Sequence, residues 1–190
     1  MTTYMATQTQ ELDENDLAQR AVHDVEAFAE LYRRNLTRVY RYHMAHVGNA
    51  TDAEDLTSQT FMAALEGIRS FRGSGSFGAW IIGIASRKRL MFFRGSRPEI
   101  SLDAALDHPS PGLPTDTAAH QRLQLESVSR ALRQISAERA EALILTYFGG
   151  LTQAEAGRVL NKTEAAVKML VARGLQDLRE RTSLALEVEL

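Results

Sequence analysis

Apolar residues recur along most of the chain at spacings of three and four, the period of a helix with one buried face. Val25, Phe28, Tyr32, Leu36 and Val39 form one such stripe, and Gly48-Asn49 ends it. Thr51-Asp52-Ala53-Glu54 has the form of a capping box, a hydroxyl followed three residues later by a carboxylate. A second helix is therefore predicted to start there and to run through Leu56, Phe61 and Leu65. Gly73 and Gly75 break the pattern inside FRGSGSF, and a third helix from near Phe77 carries Trp80, Ile81, Ile84 and Ala85. The pattern resumes with Leu125, Val128, Leu132 and Ile135. Ser136 caps the next helix, which is predicted to bury Leu143, Ile144 and Tyr147 and to end at Gly149-Gly150. Thr152-Gln153-Ala154-Glu155 is a second capping box, and its short helix ends near Leu160. Asn161-Lys162-Thr163 is a tight turn, and a long helix follows from Glu164.

The four prolines divide this pattern in two. Pro98, Pro109, Pro111 and Pro114 lie together, where proline's missing amide donor and its clash with the preceding turn exclude a helix interior. Residues 98–121 hold four acids and no base and read as an acidic linker. The expected fold is all-α: two small helical domains joined by a flexible acidic linker. Residues 1–21 form an acidic N-terminal tail, 22–97 the first domain, 122–183 the second and 184–190 a C-terminal tail. That last segment, within the amphipathic and acidic TSLALEVEL, is read either as frayed or as docked on a partner or a domain.

Charge changes the picture through its distribution. The 190 residues carry a formal net charge of −2, which alone argues against a nucleic-acid binder. Residues 1–30, however, hold seven acids and one base, whereas 69–97 hold seven bases and no acid. Residues 158–181 hold six bases against three acids. Two basic stretches in an acidic chain suggest two footprints for a polyanion, although a single basic run is as often a solvated helix face. In the second domain a short helix, a three-residue turn and a longer basic helix form the helix-turn-helix pattern, whose second helix enters the DNA major groove. A plain helical hairpin fits the same spacing.

Other chemistry is poorly supported. The chain has no cysteine, so disulfides, Cys-ligated zinc and thiol catalysis are excluded. His43 and His46 stand at i, i+3 with no third ligand nearby in sequence, a weak metal signal. No phosphate-binding G-x-x-x-x-G-K-[ST] loop or G-x-S-x-G elbow is present. No apolar run approaches the roughly 20 residues needed to span a bilayer, and the N-terminus is too polar for a secretory signal. The expectation is a non-enzymatic, cofactor-free cytoplasmic protein without small-molecule substrate or direct membrane insertion.

DAEDLTSQTF (Asp52–Phe61), FRGSGSFGAWIIGIA (Phe71–Ala85) and GGLTQAEAGRVL followed by AAVKMLVARGLQDLR (Gly149–Arg179) together resemble the extracytoplasmic-function (ECF) sigma factors. These are small two-domain initiation subunits of bacterial RNA polymerase. The resemblance covers roughly 25–181 and implies three surfaces. Asp52, Asp55, Leu56 and Gln59 would dock on the clamp helices of the polymerase beta-prime subunit. Arg72, Gly73, Ser74, Ser76, Phe77, Trp80, Arg87, Lys88 and Arg94 would hold the melted minus-ten strand of promoter DNA. Arg158, Thr163, Lys168, Met169, Ala172 and Arg173 would read the minus-thirty-five element as duplex. The implied partners are core RNA polymerase, through the clamp helices and the beta flap, and promoter DNA; the family also admits an anti-sigma factor.

Some residues depart from the family pattern. Relatives often carry Asn at Arg87, an acid or amide at Met91, and arginine at Thr146, Leu170 and Leu175. Either the duplex footprint is weaker here, or the leucines pack the last helix more firmly. Gly174, inside that helix, costs about 1 kcal/mol relative to Ala and has no explanation in the sequence. A stand-alone helix-turn-helix regulator is the rival reading, and it would need neither the DAEDL helix nor the aromatic-rich basic segment. A sigma-like decoy that binds polymerase or an anti-sigma partner without opening DNA is a third.

Overall fold

The computed structural model describes residues 13–95 and 115–188. In chain order the helices are α1 (Glu14–Arg20), α2 (Val25–Val47), α3 (Ala50–Gly67), α4 (Phe77–Gly95), α5 (Thr115–Leu132), α6 (Ala137–Leu143), α7 (Gln153–Leu160) and α8 (Glu164–Val188). A 3-10 turn, Ile68–Ser70, follows α3, and a π-helical turn, Ile144–Phe148, follows α6. Among the described residues there is no strand, so the all-α expectation holds. The four prolines lie outside the described residues. Residues 115–121, expected as linker, are the first turns of α5, and α8 continues into the segment expected as a C-terminal tail.

The caps explain where the helices begin. Asp24 caps α2, accepting from the amides of Glu26 and Ala27, and Gly48 ends that helix in the left-handed region. Helix α3 starts two residues earlier than the spacing predicts. Its cap is Asn49, in extended backbone, which accepts from the Asp52 amide at 2.9 Å; Thr51 is already helical and exposed. The second capping box is as expected. Thr152 Oγ1 accepts from the Glu155 amide, and Glu155 accepts from the Thr152 amide. Helix α1 falls within residues expected as a tail. Asp13 caps it, and Leu17 and Ala18 bury its inner face against α2.

The cores follow the apolar stripes, with two shifts. Leu31, Val39 and Tyr42 of α2 are fully buried, whereas Val25, at the first turn, is 72% exposed. Tyr147 is exposed, not buried. The π-helical turn is the reason: Gly149 donates five residues back, to Ile144 O at 2.8 Å, so the stripe slips. Ile144 and Leu145 point inward and Tyr147 points out. Gly174 is explained by close approach. A Cβ there would lie 2.8 Å from Leu143 Cδ1 and 3.3 Å from Arg139 Cβ, so glycine lets α8 pack against α6.

The two helical modules pack on each other. Helix α2 lies against α5 and the π-helical turn, and α4 meets α7. One apolar cluster runs from Leu31, Tyr42 and Ile81 into Leu132, Leu145 and Val167. At its edge Glu141 of α6 reaches Arg89 of α4 and His46 of α2.

Candidate nucleic-acid interface

The acidic helix α3 presents two faces. Ala53, Leu56, Thr57, Thr60 and Phe61 turn inward. Asp52, Asp55 and Gln59 turn outward, with Gln59 Nε2 donating to Asp55 Oδ2 at 2.7 Å. Leu56 was expected as an apolar anchor for a partner. It is fully buried in this chain's own core, so the outward face is polar and the anchor role is withdrawn. Met62 and Leu65, further along α3, are the exposed apolar residues there.

The FRGSGSF loop joins the 3-10 turn to α4. Phe71, Phe77 and Trp80 pack together with ring centroids 5.5–5.8 Å apart. Phe77 is completely buried in this cluster and is not available to stack on a base; its assignment to the minus-ten surface is corrected to core. Trp80 is half-buried. It forms one wall of an open pocket of about 270 Å³ lined also by Ala63, Gly67, Ser70, Ile84, Arg87, Lys88 and Met91. An aromatic wall beside two cations suits an unstacked base with its phosphates. Arg72, Ser74 and Ser76 are exposed on the loop, and Arg94 at the far end of α4. Leu90, Met91 and Phe93 are also exposed there. Sequence reasoning did not single out Leu90; the helical register of α4 carries the signal for it.

The loop is held from two sides. Asn15 of α1 donates through Nδ2 to Gly75 O at 3.1 Å and accepts the Phe77 amide on Oδ1 at 2.9 Å. Ser76 Oγ accepts from the Ala79 amide at 3.1 Å and donates to the Glu155 carboxylate of α7. Burial works to raise the Glu155 pKa, but hydrogen bonds from Ser76 and Thr152, with the nearby Arg158 charge, hold it below the usual carboxylate range. Neither Asn15 nor Glu155 was read from sequence as part of this surface. Asn15 lies in an acidic run that reads as a tail, although the apolar positions Leu17, Ala18 and Ala21 carry the signal for α1.

The helix-turn-helix is α7, a left-handed Asn161 and α8. Thr163 closes the N-terminus of α8, its Oγ1 accepting from the Ala166 amide at 3.2 Å. Val167 and Val171 face the core, while Lys168, Met169, Ala172 and Arg173 form an exposed stripe on the opposite face. Arg158 is exposed on α7. The stripe therefore unites the residues expected at the major groove. Leu170 and Leu175 pack against the core, and Thr146 turns its hydroxyl onto Ala142 O at 2.8 Å. The firmer-packing alternative thus accounts for the leucines. His43 and His46 are buried, and among the described residues no cluster of three or more His, Asp or Glu side chains could hold a metal ion.

Comparison with known proteins completes the picture. Residues 31–99 match the family model "Sigma-70 region 2", and residues 125–178 match "Sigma-70, region 4". The chain is 34% identical over 167 residues to the ECF RNA polymerase sigma factor BldN of Streptomyces coelicolor, covering 86% of this chain and 63% of BldN. It is 25% identical to the ECF sigma factor SigW of Bacillus subtilis, covering 83% of this chain and 90% of SigW. The fold is shared with CnrH, solved in complex with the cytosolic domain of CnrY. That match has TM-score 0.66, is 24% identical, and covers 90% of this chain and 97% of CnrH.

Proposed function

This chain belongs to the ECF sigma factors of bacterial RNA polymerase, and on that premise we propose that it mounts on core polymerase and selects and opens promoters. The observation that carries the proposal is the presence, on one chain, of two separate DNA-suited surfaces beside an acidic helix with an outward polar face. Asp52, Asp55 and Gln59 of α3 dock on the polymerase clamp; the two carboxylates, three residues apart on one face, make an acidic patch, and Gln59, four residues further on, donates to Asp55. Lys168, Met169, Ala172 and Arg173 enter the major groove at the minus-thirty-five element, with Arg158 and Thr163 on phosphates. The domain boundaries of the proposal are 22–97 for the minus-ten and core-binding module and 122–183 for the minus-thirty-five module.

Strand opening without ATP follows from capture. Flipping a base out of the stack costs a few kcal/mol, and an aromatic platform returns about 1–3 kcal/mol per base. Trp80 is the platform in this chain. Arg72, Arg87, Lys88 and Arg94 track the backbone, and Gly73, Ser74 and Ser76 give the strand close access to the loop. Nucleotidyl transfer belongs to the polymerase, so this chain contributes binding and no covalent step. Its site of action is the cytoplasm, and among the described residues no helix is long and apolar enough to cross a membrane. The family admits an anti-sigma factor as a further partner. A stand-alone helix-turn-helix regulator would have no use for the polar face of α3 or the cations of α4.

The test is a charge reversal on the outward face of α3. Asp55 is exposed, and its carboxylate accepts from Gln59 of the same helix, so Asp55→Arg leaves the core intact. Titration of core polymerase with this variant should give affinity at least tenfold weaker than the parent. Unchanged affinity contradicts the clamp assignment.

A further inference from the structure

Resting on the promoter-opening reading above, we propose that Asn15 is a positioning residue for capture of the melted strand. Its side-chain amide fixes the loop that presents Arg72, Ser74 and Ser76 to DNA. The loop needs an external restraint. It contains Gly73, at φ 68°, and Gly75, with serines between and after. Glycine backbones lose the most entropy on ordering, so an unrestrained loop of this composition samples many conformations. The loop also leads into α4, whose first amides have no partner within the helix.

Asn15 meets both needs with one planar group. Its Oδ1 accepts the Phe77 amide and its Nδ2 donates to the Gly75 carbonyl. Those two backbone groups bracket Ser76, so the amide fixes the backbone on either side of that residue. Ser76 Oγ is thereby aimed along the start of α4, where it also takes the Ala79 amide. A carboxylate in place of the amide could still accept from Phe77 but would set an acceptor against the Gly75 carbonyl.

The helix that carries the amide is itself held. Asp13 Oδ2 accepts from the backbone N–H of Asn15 at 3.3 Å. Glu14 accepts from Asn35 Nδ2 at 3.0 Å and lies 3.9 Å from Arg38. Leu17 and Ala18 are buried beneath. A rigid helix outside the basic segment thus sets the shape of the DNA-facing loop, and Asn15 acts through the loop without touching DNA.

The experiment uses holoenzyme reconstituted from core polymerase and the full chain. The template is a promoter identified by mapping transcript 5′ ends made with the parent chain. Three readouts are taken: affinity for core, salt-resistant open complexes, and permanganate reactivity of unpaired thymines. Asn15→Ala should keep core affinity within twofold and reduce open complexes about tenfold. Asn15→Asp should fall between Ala and the parent. Glu14→Ala, which loosens α1 without removing the amide, should lose less than threefold. Open complexes at the parent level with Asn15→Ala would overturn the proposal. Equal losses for Asn15→Ala and Glu14→Ala would also overturn it, because the effect would then come from α1 docking. If the parent chain directs no transcript at all, the promoter-opening reading fails first, and the Asn15 role fails with it.

Discussion

The Glu141 carboxylate, carried on α6, lies 3.2 Å from the Arg89 guanidinium of α4, and His46 Nε2 lies 3.7 Å from the same carboxylate. One acid from the second module thus closes over a cation and a buried histidine of the first. Both Arg89 and Glu141 are largely withdrawn from solvent, so removing either partner leaves a poorly solvated charge behind. Breaking a buried pair from one side costs about 3–5 kcal/mol, and partial exposure here reduces that figure.

Glu141→Ala should therefore loosen the packing between the modules. Small-angle scattering should give a larger radius of gyration than the parent, and the thermal midpoint should fall by several degrees. An unchanged radius and midpoint would mean that apolar contacts alone hold the modules together.

Acid should destabilise the folded chain through its buried histidines. Thr60 Oγ1 donates to Leu56 O at 2.7 Å, so it accepts from His43 Nε2, 2.9 Å away, and His43 is a neutral donor. Burial first, then the Arg89 charge, lowers the His43 pKa to about 3. The same two causes, with His43 itself, hold His46 well below its ordinary value. Unfolded histidine titrates near about 6.5. Below that pH the unfolded chain binds more protons, and stability falls by up to about 1.4 kcal/mol per pH unit for each histidine. Burial raises the Glu141 pKa, which favours the folded state at acid pH, but one carboxyl opposes two histidines. Thermal midpoints should drop between pH 7.5 and 5, and His43→Gln should flatten the drop. A flat profile for the parent would contradict the assignment.

Gly174→Ala should destabilise the second module even though alanine is the better helix former. The propensity gain is about 1 kcal/mol. Against it, the new methyl would press on the buried Leu143 side chain at 2.8 Å and on Arg139 Cβ at 3.3 Å, and overpacking costs about 1–3 kcal/mol. Urea unfolding should show a lower midpoint with unchanged slope. A raised midpoint would mean that α6 and α8 part easily.

What the sequence revealed follows from what each feature depends on. The helix-turn-helix was legible because its signals are local: the Thr152–Glu155 capping box, the Asn161-Lys162-Thr163 turn, and the long basic helix that follows from Glu164. The exposed acids of α3 were legible for the same reason. Leu56 and Phe77 were misassigned because an apolar residue inside a motif looks the same whether it meets a partner or its own core; burial decides, and burial is tertiary. Tyr147 was misplaced by a π-helical turn that changes the period within one helix. Asn15, Glu141 and Glu155 were invisible as contacts because their partners lie 52 to 79 residues away in the chain.

Lys168→Ala and Arg173→Ala should each weaken binding of the holoenzyme to minus-thirty-five duplex. If each side chain neutralises one phosphate, the slope of log affinity against log salt should fall by about 0.9 per substitution. Met169→Ala should weaken binding without changing the slope, because a thioether releases no counterion. Equal slopes for all three variants would place the cations off the duplex.

The central claim is that this chain confers promoter choice on core polymerase. The most direct measurement is transcription from fragmented genomic DNA of the source organism by core polymerase with and without the chain, with every transcript 5′ end mapped. The account predicts new start sites sharing two conserved blocks, one upstream and read as duplex, one at the melted region. Start sites identical in the two reactions would contradict it.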